Sequence, residues 1–245
     1  MASAKGAYLK NLRYDSNSPY IVERYLERES WSKDQWNEWI DKQLSQTLYD
    51  VKKYVPFYQR YWAKRPKISY KILQNWPIIT KNKINACPEL FIDERYKKSK
   101  LYNDHTSGTT GTPLNIYLDN SSIKNQYALF EARVKQKYNV SLDDSWAIIG
   151  AQIVADVNAK KPPFWVYNYA SSQLYLSSLH IAKWSVLDYF QALIKYQPKC
   201  LIGYTNSLYQ LALLMNEQNY FFKLKAVVTN GEPLYDYQNL IISKV

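Results

Sequence analysis

The spacing of apolar residues predicts a long amphipathic helix in the first third of the chain. Apolar side chains recur there at helical intervals, at Trp36, Ile40, Leu44, Leu48, Val51 and Val55. Ser32 stands before this run as the predicted N-cap, and Gln35 completes the pattern of a capping box. Pro56 ends the run, because a proline cannot continue the backbone hydrogen bonds of a helix. These signals predict a helical N-terminal segment.

The later chain alternates strand and helix patterns. Trp146–Val154 is a nearly continuous apolar run, which is typical of a buried strand. Cys200–Gly203 and Ala226–Thr229 are two short apolar strands, and Asn206 or Ser207 is the predicted N-cap of the helix between them. A strand, a helix and a strand in this order predict parallel strands with a right-handed crossover. The fold class is therefore predicted to be α/β, with parallel strands flanked by helices.

The charge divides the chain in a similar way. The 245 residues include 32 Lys or Arg and 21 Asp or Glu, a formal net charge of +11. Residues 1–100 hold 20 of the basic residues and 11 of the acidic ones, whereas residues 101–245 hold 12 and 10. We therefore predict a basic helical segment over residues 1–100 and an α/β core over residues 101–245. A nucleic-acid or anionic membrane surface is one explanation of the excess, but a solvated lysine-rich face is the commoner one.

Composition narrows the class of protein. Hydrophobic residues make up 47% of the chain, with 24 Tyr and 8 Trp, so it has the apolar surface to build a core. Cys87 and Cys200 lie far apart without a Cys-x-x-Cys pair, which argues against a zinc site or a disulfide framework. No apolar run reaches the roughly 18 residues of a membrane span, and no apolar signal-peptide segment follows the N-terminus. We expect a cytoplasmic protein without a membrane span.

The segment Thr106–Pro113 reads Thr-Ser-Gly-Thr-Thr-Gly-Thr-Pro and carries no charge. Gly108 and Gly111 permit close backbone approach, and the hydroxyl and backbone N–H groups are suited to surrounding phosphate oxygens. The period-two pattern over Leu114–Leu118 indicates a strand, so the loop is predicted to join two strands. No lysine follows Gly111, which excludes a Walker A loop. An ordinary Ser/Thr/Gly hairpin is the alternative interpretation.

The order of these residues resembles the phosphate-binding motif Ser/Thr-Ser-Gly-Thr-Thr-Gly-x-Pro of the adenylate-forming, acyl-activating enzyme superfamily. Many members carry lysine after the proline, where this chain has Leu114, but phenylacetate-coenzyme A ligase-like proteins often lack that lysine too. Further segments resemble the same family, and in part its capsular-polysaccharide biosynthesis branch: Val55–Tyr58, Trp76–Lys81, Phe164–Tyr169, Leu174–His180 and Asn230–Pro233. The resemblance implies the front part of the large N-terminal domain of such an enzyme.

The resemblance also implies a reaction and a set of site residues. The whole protein is expected to convert ATP and a small carboxylic acid into an acyl-adenylate, and then to pass the acyl group to coenzyme A or to a sugar amine or hydroxyl. The phosphates of ATP are expected at Thr106, Ser107, Gly108, Thr109, Thr110 and Gly111. Adenine and ribose are expected at Asn230, Gly231, Glu232 and Pro233, close to the phosphate loop. His180 and Tyr204, each just after a predicted strand, are candidates for the acyl pocket.

The pattern of the last residues indicates whether the chain is complete. Tyr235–Val245 begins an apolar helix pattern without a C-cap signal, so we expect a truncated chain. In the superfamily the glutamate that positions Mg²⁺ and the catalytic lysine come later in the sequence. We therefore assign no catalytic residue and no metal ligand here, and expect the 245-residue chain alone to be inactive. The activated acid and the oligomeric state stay open.

Two other functions are alternatives. Gly108–Gly111 also matches the GxxG loop of KH-type RNA-binding modules, which a basic chain would suit. This is disfavoured, because a KH loop joins two helices amid positive charge, whereas this loop has strand-like flanks and no lysine between it and Lys124. The other alternative is a non-catalytic relative that binds nucleotide or a partner protein. The signatures of dinucleotide dehydrogenases, serine hydrolases and zinc hydrolases do not occur in the sequence.

Overall fold

The structure is a computed structural model that describes the backbone of residues 2–106 and 113–245, and side chains from Ala4 onward. Its contacts divide the chain into two compact units. The larger unit combines residues 1–25 with residues 127–245, and the smaller one contains residues 26–126. These bounds differ from a division at residue 100, because the first helix packs with the later sheet. The domain division drawn from the sequence stays a prediction.

Helices and short turns dominate the first hundred residues. The helices are α1 (Ala2–Arg13), α2 (Ser18–Glu27), α3 (Lys33–Tyr54), α4 (Pro56–Ala63) and α5 (Lys81–Ala86). Between and after them lie 3₁₀ turns at Arg28–Ser30, Leu73–Asn75, Pro88–Phe91 and Lys98–Lys100. Both halves of the predicted capping box are present at the start of α3, where the backbone N–H of Gln35 donates to Ser32 Oγ and that of Ser32 to Gln35 Oε1. The helical N-terminal segment is confirmed.

Two strands flank the uncharged loop. Strand β1 (Tyr102–His105) pairs antiparallel with β2 (Asn115–Leu118), and His105 lies opposite Asn115. The prediction that the loop joins two strands is therefore confirmed.

The larger unit contains a five-stranded sheet. Its strands are β3 (Trp146–Gly150), β4 (Trp165–Asn168), β5 (Gln173–Ser177), β6 (Cys200–Tyr204) and β7 (Ala226–Asn230), in the spatial order β4-β5-β3-β6-β7. Strands β5, β3, β6 and β7 are parallel, as predicted, whereas β4 runs antiparallel to β5. The connection over residues 169–172 is too short for a crossover, so this pair forms a hairpin.

Helices cover both faces of this sheet. The remaining helices are α6 (Asn120–Phe130), α7 (Val186–Tyr196), α8 (Thr205–Glu217) and α9 (Asp236–Ile242). A π-helical turn over Glu131–Lys135 and a 3₁₀ turn over Gln136–Tyr138 follow α6. Alternate residues of the strands point to opposite faces, so Ile149 packs in the cluster that contains α7 and α8, and Trp146 packs with Phe130 on the other face. The fold is α/β with a mainly parallel sheet flanked by helices.

Three element ends differ from the sequence prediction. Strand β3 ends at Gly150, where its ladder with β5 ends, and the apolar run beyond it includes Ile153, which is 75% exposed. Helix α8 begins at Thr205, so neither Asn206 nor Ser207 is its N-cap. The pattern over Tyr235–Val245 predicted a helix to the last residue, but α9 ends at Ile242.

The middle of the sheet depends on one glycine. Gly203 in β6 lies against Ile149 of β3, and a Cβ atom at this position would collide with both the side chain and the carbonyl oxygen of Ile149. The two parallel strands can therefore keep their pairing only if this position has no side chain. This pairing places the carboxyl ends of β3 and β6 side by side.

Candidate functional site

The carboxyl ends of β6 and β7 bring together two segments that the sequence had marked separately. Tyr204 lies opposite Asn230 in the parallel ladder. The next residue, Gly231, has a φ of 74°, and a Cβ atom there would lie 2.9 Å from Cδ1 of Tyr204. Because only glycine tolerates both the backbone angle and this contact, the main chain can pass directly against the tyrosine ring. This edge is where open α/β sheets bind ligands.

Glu232 fixes the shape of the segment that follows. One oxygen of its carboxylate accepts the backbone N–H of Asn206 at 2.8 Å, and the other accepts the Asn206 side-chain amide at 3.3 Å. Its carbonyl oxygen accepts the hydroxyl of Thr205 at 3.0 Å. An acceptor at the first turn of a helix satisfies a free N–H group and interacts favourably with the helix dipole. Glu232 therefore caps α8, the helix of the neighbouring strand connection.

A buried glutamine extends this network. Gln238, in the first turn of α9, donates from Nε2 to Asn206 Oδ1 at 3.0 Å and accepts the backbone N–H of Tyr235 at 3.1 Å. The side chain of Gln238 is buried, whereas Asn230 to Pro233 are exposed. The exposed segment is thus held from beneath at Glu232 and at the start of α9. Nothing in the local sequence marked Asn206 or Gln238 as site residues, because their partners lie 26 and 32 residues away.

Tyr204 and His180, the two acyl-pocket candidates, have different surroundings. Tyr204 is 39% exposed at the sheet edge. His180 is 4% exposed and stacks on Phe164 with a centroid separation of 4.9 Å. Its Nε2 lies 3.0 Å from the carbonyl oxygen of Asp156, which can only accept, so Nε2 carries the proton and Nδ1 accepts from the hydroxyl of Ser177 at 2.8 Å. Both ring nitrogens are therefore engaged in holding the loops after β5 and β3, and the pocket role of these two residues stays a prediction.

The phosphate-loop prediction falls largely outside the described residues. Ser107, Gly108, Thr109, Thr110 and Gly111 lie there, together with Thr112, so their proximity to Asn230 and Gly231 stays a prediction. Thr106 is described, and its hydroxyl oxygen accepts the backbone N–H of Leu114 at 3.0 Å. Its own N–H donates to the carbonyl oxygen of Leu114 at 3.1 Å. Thr106 therefore closes the base of the hairpin.

Leu114 occupies the position where many adenylate-forming enzymes carry lysine. In the smaller unit its side chain helps to line a cavity of about 560 Å³, together with Val51, Ile84, Phe91 and Ile116. The wall of this cavity also includes charged side chains, Asp93, Arg95 and Asp119. Leu114 contributes to the apolar part of that wall.

The described part of the chain contains no cluster of candidate metal ligands. No group of three or more His, Cys, Asp and Glu side chains in that part of the chain could hold a metal ion. The carboxylate of Glu232, the acid of the predicted adenine segment, is occupied by the capping of α8. A role for Mg²⁺ therefore stays a prediction. Across the described residues, we also find no helix of the length and apolar character needed to cross a membrane.

Comparison with known proteins identifies the class of fold. No protein-family model matches the sequence. The crystal structure of an open conformation of 2-hydroxyisobutyryl-CoA ligase, in complex with 2-HIB-AMP and CoA, matches with a TM-score of 0.53 and 15% identity, over 83% of this chain and 50% of that one. The chain therefore shares the fold of part of this CoA ligase.

A known protein resembles this chain in sequence over the whole length of the chain. The chain is 26% identical over 251 residues to Protein CapK of Staphylococcus aureus, an alignment that covers 100% of this chain and 54% of CapK. The resemblance inferred from the motifs is thereby confirmed. The chain spans about half the length of this relative and of the structurally similar ligase.

Proposed function

We propose that this chain forms the front part of an adenylate-forming ligase that activates a carboxylic acid with ATP. An oxygen of the acid attacks the α-phosphorus, the acyl-adenylate forms, and pyrophosphate leaves. The thiol of coenzyme A then attacks the acyl carbon and AMP leaves. The name of the relative CapK fits a place in capsule biosynthesis, so we propose that the acyl group serves cell-surface polysaccharide biosynthesis.

The observation that carries this proposal is the edge formed by Tyr204 and Asn230–Pro233. Gly231 has no Cβ atom, so the backbone lies directly against the Tyr204 ring, and the exposed peptide groups of this strip are the ones proposed to contact a flat ligand such as adenine. The strip is held in place by the contacts of Glu232 with Thr205 and Asn206, so its peptide groups are already oriented before a ligand binds. We assign adenine and ribose to Asn230–Pro233, and the adjoining Tyr204 ring to the acyl pocket.

We propose that the loop Thr106–Gly111 holds the phosphates of ATP. Bound ATP contributes the phosphoanhydride bond that makes pyrophosphate a leaving group. Donors aimed at the oxygens that gain charge in the transition state lower the barrier, and removal of one such donor costs about 3 kcal/mol, or about a hundredfold in rate. Thr106 holds the base of the loop through Leu114, which orients the start of the motif.

The test of the loop uses a longer protein that includes this chain and has the full length of CapK. Carboxylate-dependent release of pyrophosphate is measured with ATP, Mg²⁺ and a panel of aryl and alkyl acids. Thr109→Val and Thr110→Val should each slow release about a hundredfold. Thr112→Val is the matched control, because it makes the same change at the variable position of the motif and should leave the rate nearly unchanged. Equal rates in all four proteins would remove the loop from the mechanism.

The test of the adenine segment is the binding of AMP to the 245-residue chain, measured by calorimetry. Gly231→Ala places a Cβ atom against Tyr204 and should weaken AMP binding at least tenfold, while circular dichroism reports a retained fold.

Titration with single-stranded RNA tests the alternative in which the GxxG loop binds RNA. That alternative is further weakened by the antiparallel strands β1 and β2 on either side of the loop. AMP binding without turnover in the full-length protein would instead favour a non-catalytic nucleotide-binding relative.

A further inference from the structure

The smaller unit contains a basic cavity that the proposed ligase reaction does not use. The cavity lies between α3 and the segment after α4 and has a volume of about 340 Å³. Its lining includes four cationic side chains, Lys52, Arg65, Lys67 and Lys71, and no Asp or Glu. This places an excess of positive charge around a concave space.

The four cations have no anionic partners among the described residues, where none of them forms an ion pair. Two are held in position by aromatic rings instead. Lys52 Nζ lies 4.0 Å from the centroid of the Tyr70 ring, and the Arg65 guanidinium lies 3.9 Å from that of Tyr61. Arg65 Nη1 also donates to the carbonyl oxygen of Tyr61 at 3.1 Å. Like charges gathered without a carboxylate repel one another, and a bound anion would relieve that repulsion.

A buried donor lies in the same wall. Trp62 lines the cavity and is 4% exposed, yet no described residue accepts a hydrogen bond from its indole Nε1. The neighbouring Trp76 has a similar ring and donates from Nε1 to the carbonyl oxygen of Tyr70 at 2.8 Å. Edge contacts with Tyr61 and Trp76, at centroid distances of 5.2 Å, fix the orientation of the Trp62 ring. A buried N–H without an acceptor costs about 1–3 kcal/mol, so an acceptor supplied by a ligand would bind favourably.

We propose that this cavity binds a phosphate group, either free or as the monoester of a small molecule or of a lipid headgroup. The phosphate oxygens accept hydrogen bonds and carry negative charge, which matches a wall of cations and one neutral N–H donor. The volume is within the range of small-ligand sites and suits a compact anion. The indole N–H belongs to a ring that lines the cavity, so we expect a bound phosphate to draw it into a hydrogen bond. A flat basic surface of the kind that attracts nucleic-acid backbones offers no such donor.

The experiment follows the indole N–H signals of the full 245-residue chain by ¹H–¹⁵N NMR. The Trp62 signal is assigned by its disappearance in Trp62→Phe. Inorganic phosphate is then added at constant ionic strength, with chloride as the matched salt. We expect the Trp62 signal to move downfield and to saturate. Lys67→Gln should weaken the response about tenfold, since a charge-assisted hydrogen bond contributes about 1.5 kcal/mol or more.

Lys64→Gln is the matched control. Lys64 is exposed and lies near Lys67 in the sequence, but it does not line the cavity. This substitution removes the same charge and should leave the response unchanged. Equal weakening by both substitutions would show a diffuse attraction between charges and would overturn the site. A Trp62 signal that does not move with phosphate would overturn it as well.

A second measurement distinguishes the two sources of the phosphate group. The chain is sedimented with vesicles of phosphatidic acid in phosphatidylcholine, and separately titrated with glycerol 3-phosphate. Sedimentation that inorganic phosphate displaces assigns the cavity to a lipid headgroup. A saturating shift of the Trp62 signal with glycerol 3-phosphate, without sedimentation, assigns it to a soluble phosphomonoester. Sedimentation that phosphate does not displace, and that Lys64→Gln weakens as much as Lys67→Gln, contradicts the proposal.

Discussion

The buried ion pair of the larger unit gives the sharpest prediction about stability. Glu131 and Lys135 lie in the π-helical turn after α6, and their side chains are 0% and 1% exposed. The ammonium Nζ lies 2.8 Å from Glu131 Oε2, without the alignment of a hydrogen bond, and donates to Oε1 at 3.1 Å. The hydroxyl of Tyr14 in the loop after α1 donates to the same Oε1 at 2.6 Å. Burial, and then the charge of Glu131, raise the pKa of Tyr14, which keeps this donor protonated.

Single substitutions should be costly because each leaves one charge buried alone. In Lys135→Met the carboxylate keeps the hydroxyl of Tyr14 but loses the ammonium, and in Glu131→Gln the ammonium faces a neutral amide. Removal of one partner of a buried pair typically costs about 3–5 kcal/mol, whereas removal of both charges is often close to neutral. We therefore expect about 3–5 kcal/mol for each single variant. The double variant should lose no more than either one, which corresponds to a coupling energy of at least about 3 kcal/mol.

The assay is urea unfolding of the 245-residue chain, followed by circular dichroism and tryptophan fluorescence. The larger unit holds both residues, so the transition that reports the sheet is the one to compare. The dependence of the unfolding free energy on urea should stay the same in all variants, which shows that only stability has changed. Single variants that cost less than about 1 kcal/mol, or costs that simply add in the double variant, would refute the reasoning.

Three further predictions concern single sites. Burial raises the pKa of the Cys200 thiol to about 11, so a thiol reagent at pH 8 should modify the exposed Cys87 alone until the chain is unfolded. The unfolded chain loses the Cys200 proton first, so stability should fall as the pH rises from about 9 to 11, and Cys200→Ala should lack that part of the loss. Gly203→Ala should destabilise the sheet by about 3 kcal/mol in urea unfolding, whereas Gly150→Ala, whose Cβ would meet only the end of a flexible glutamine at 3.3 Å, should cost far less. Glu232→Ala removes an acceptor from the first turn of α8 and should lower the unfolding free energy by about 1 kcal/mol. The cap depends on the reach of the longer side chain, so Glu232→Asp should not restore this loss.

Local signals in the sequence were sufficient for most of the elements. A short local pattern predicts the capping box at Ser32, and apolar periodicity predicts β6, α8 and β7. The structure contains all of them. The direction of β4 was not visible in this way, because an apolar aromatic segment reads alike in either direction. Its hairpin with β5 follows from the length of the connection instead.

The site was predictable only as far as its motifs are local. The glycine of Asn230–Pro233 was identified from the sequence, but its contact with Tyr204 depends on the register between two strands. Glu232 was expected in the adenine and ribose segment, and that role stays a prediction. Its capping of α8 was not expected. It arises because the parallel crossover brings the start of that helix beside the end of β7. Partners of this kind are set by topology, which no short pattern encodes.

The packing of α1 with the later sheet has a consequence for the order of events on the ribosome. Arg13 donates to Gln173 Oε1 at 2.9 Å across 160 residues, and residues 1–25 belong to the same compact unit as residues 127–245. At about 5–20 residues per second, translation takes on the order of 10–30 s to supply this partner. The smaller unit emerges complete during that interval. Helix α1 therefore reaches its place only after the smaller unit has been synthesised, and its apolar residues are open to a chaperone at the tunnel exit during that interval.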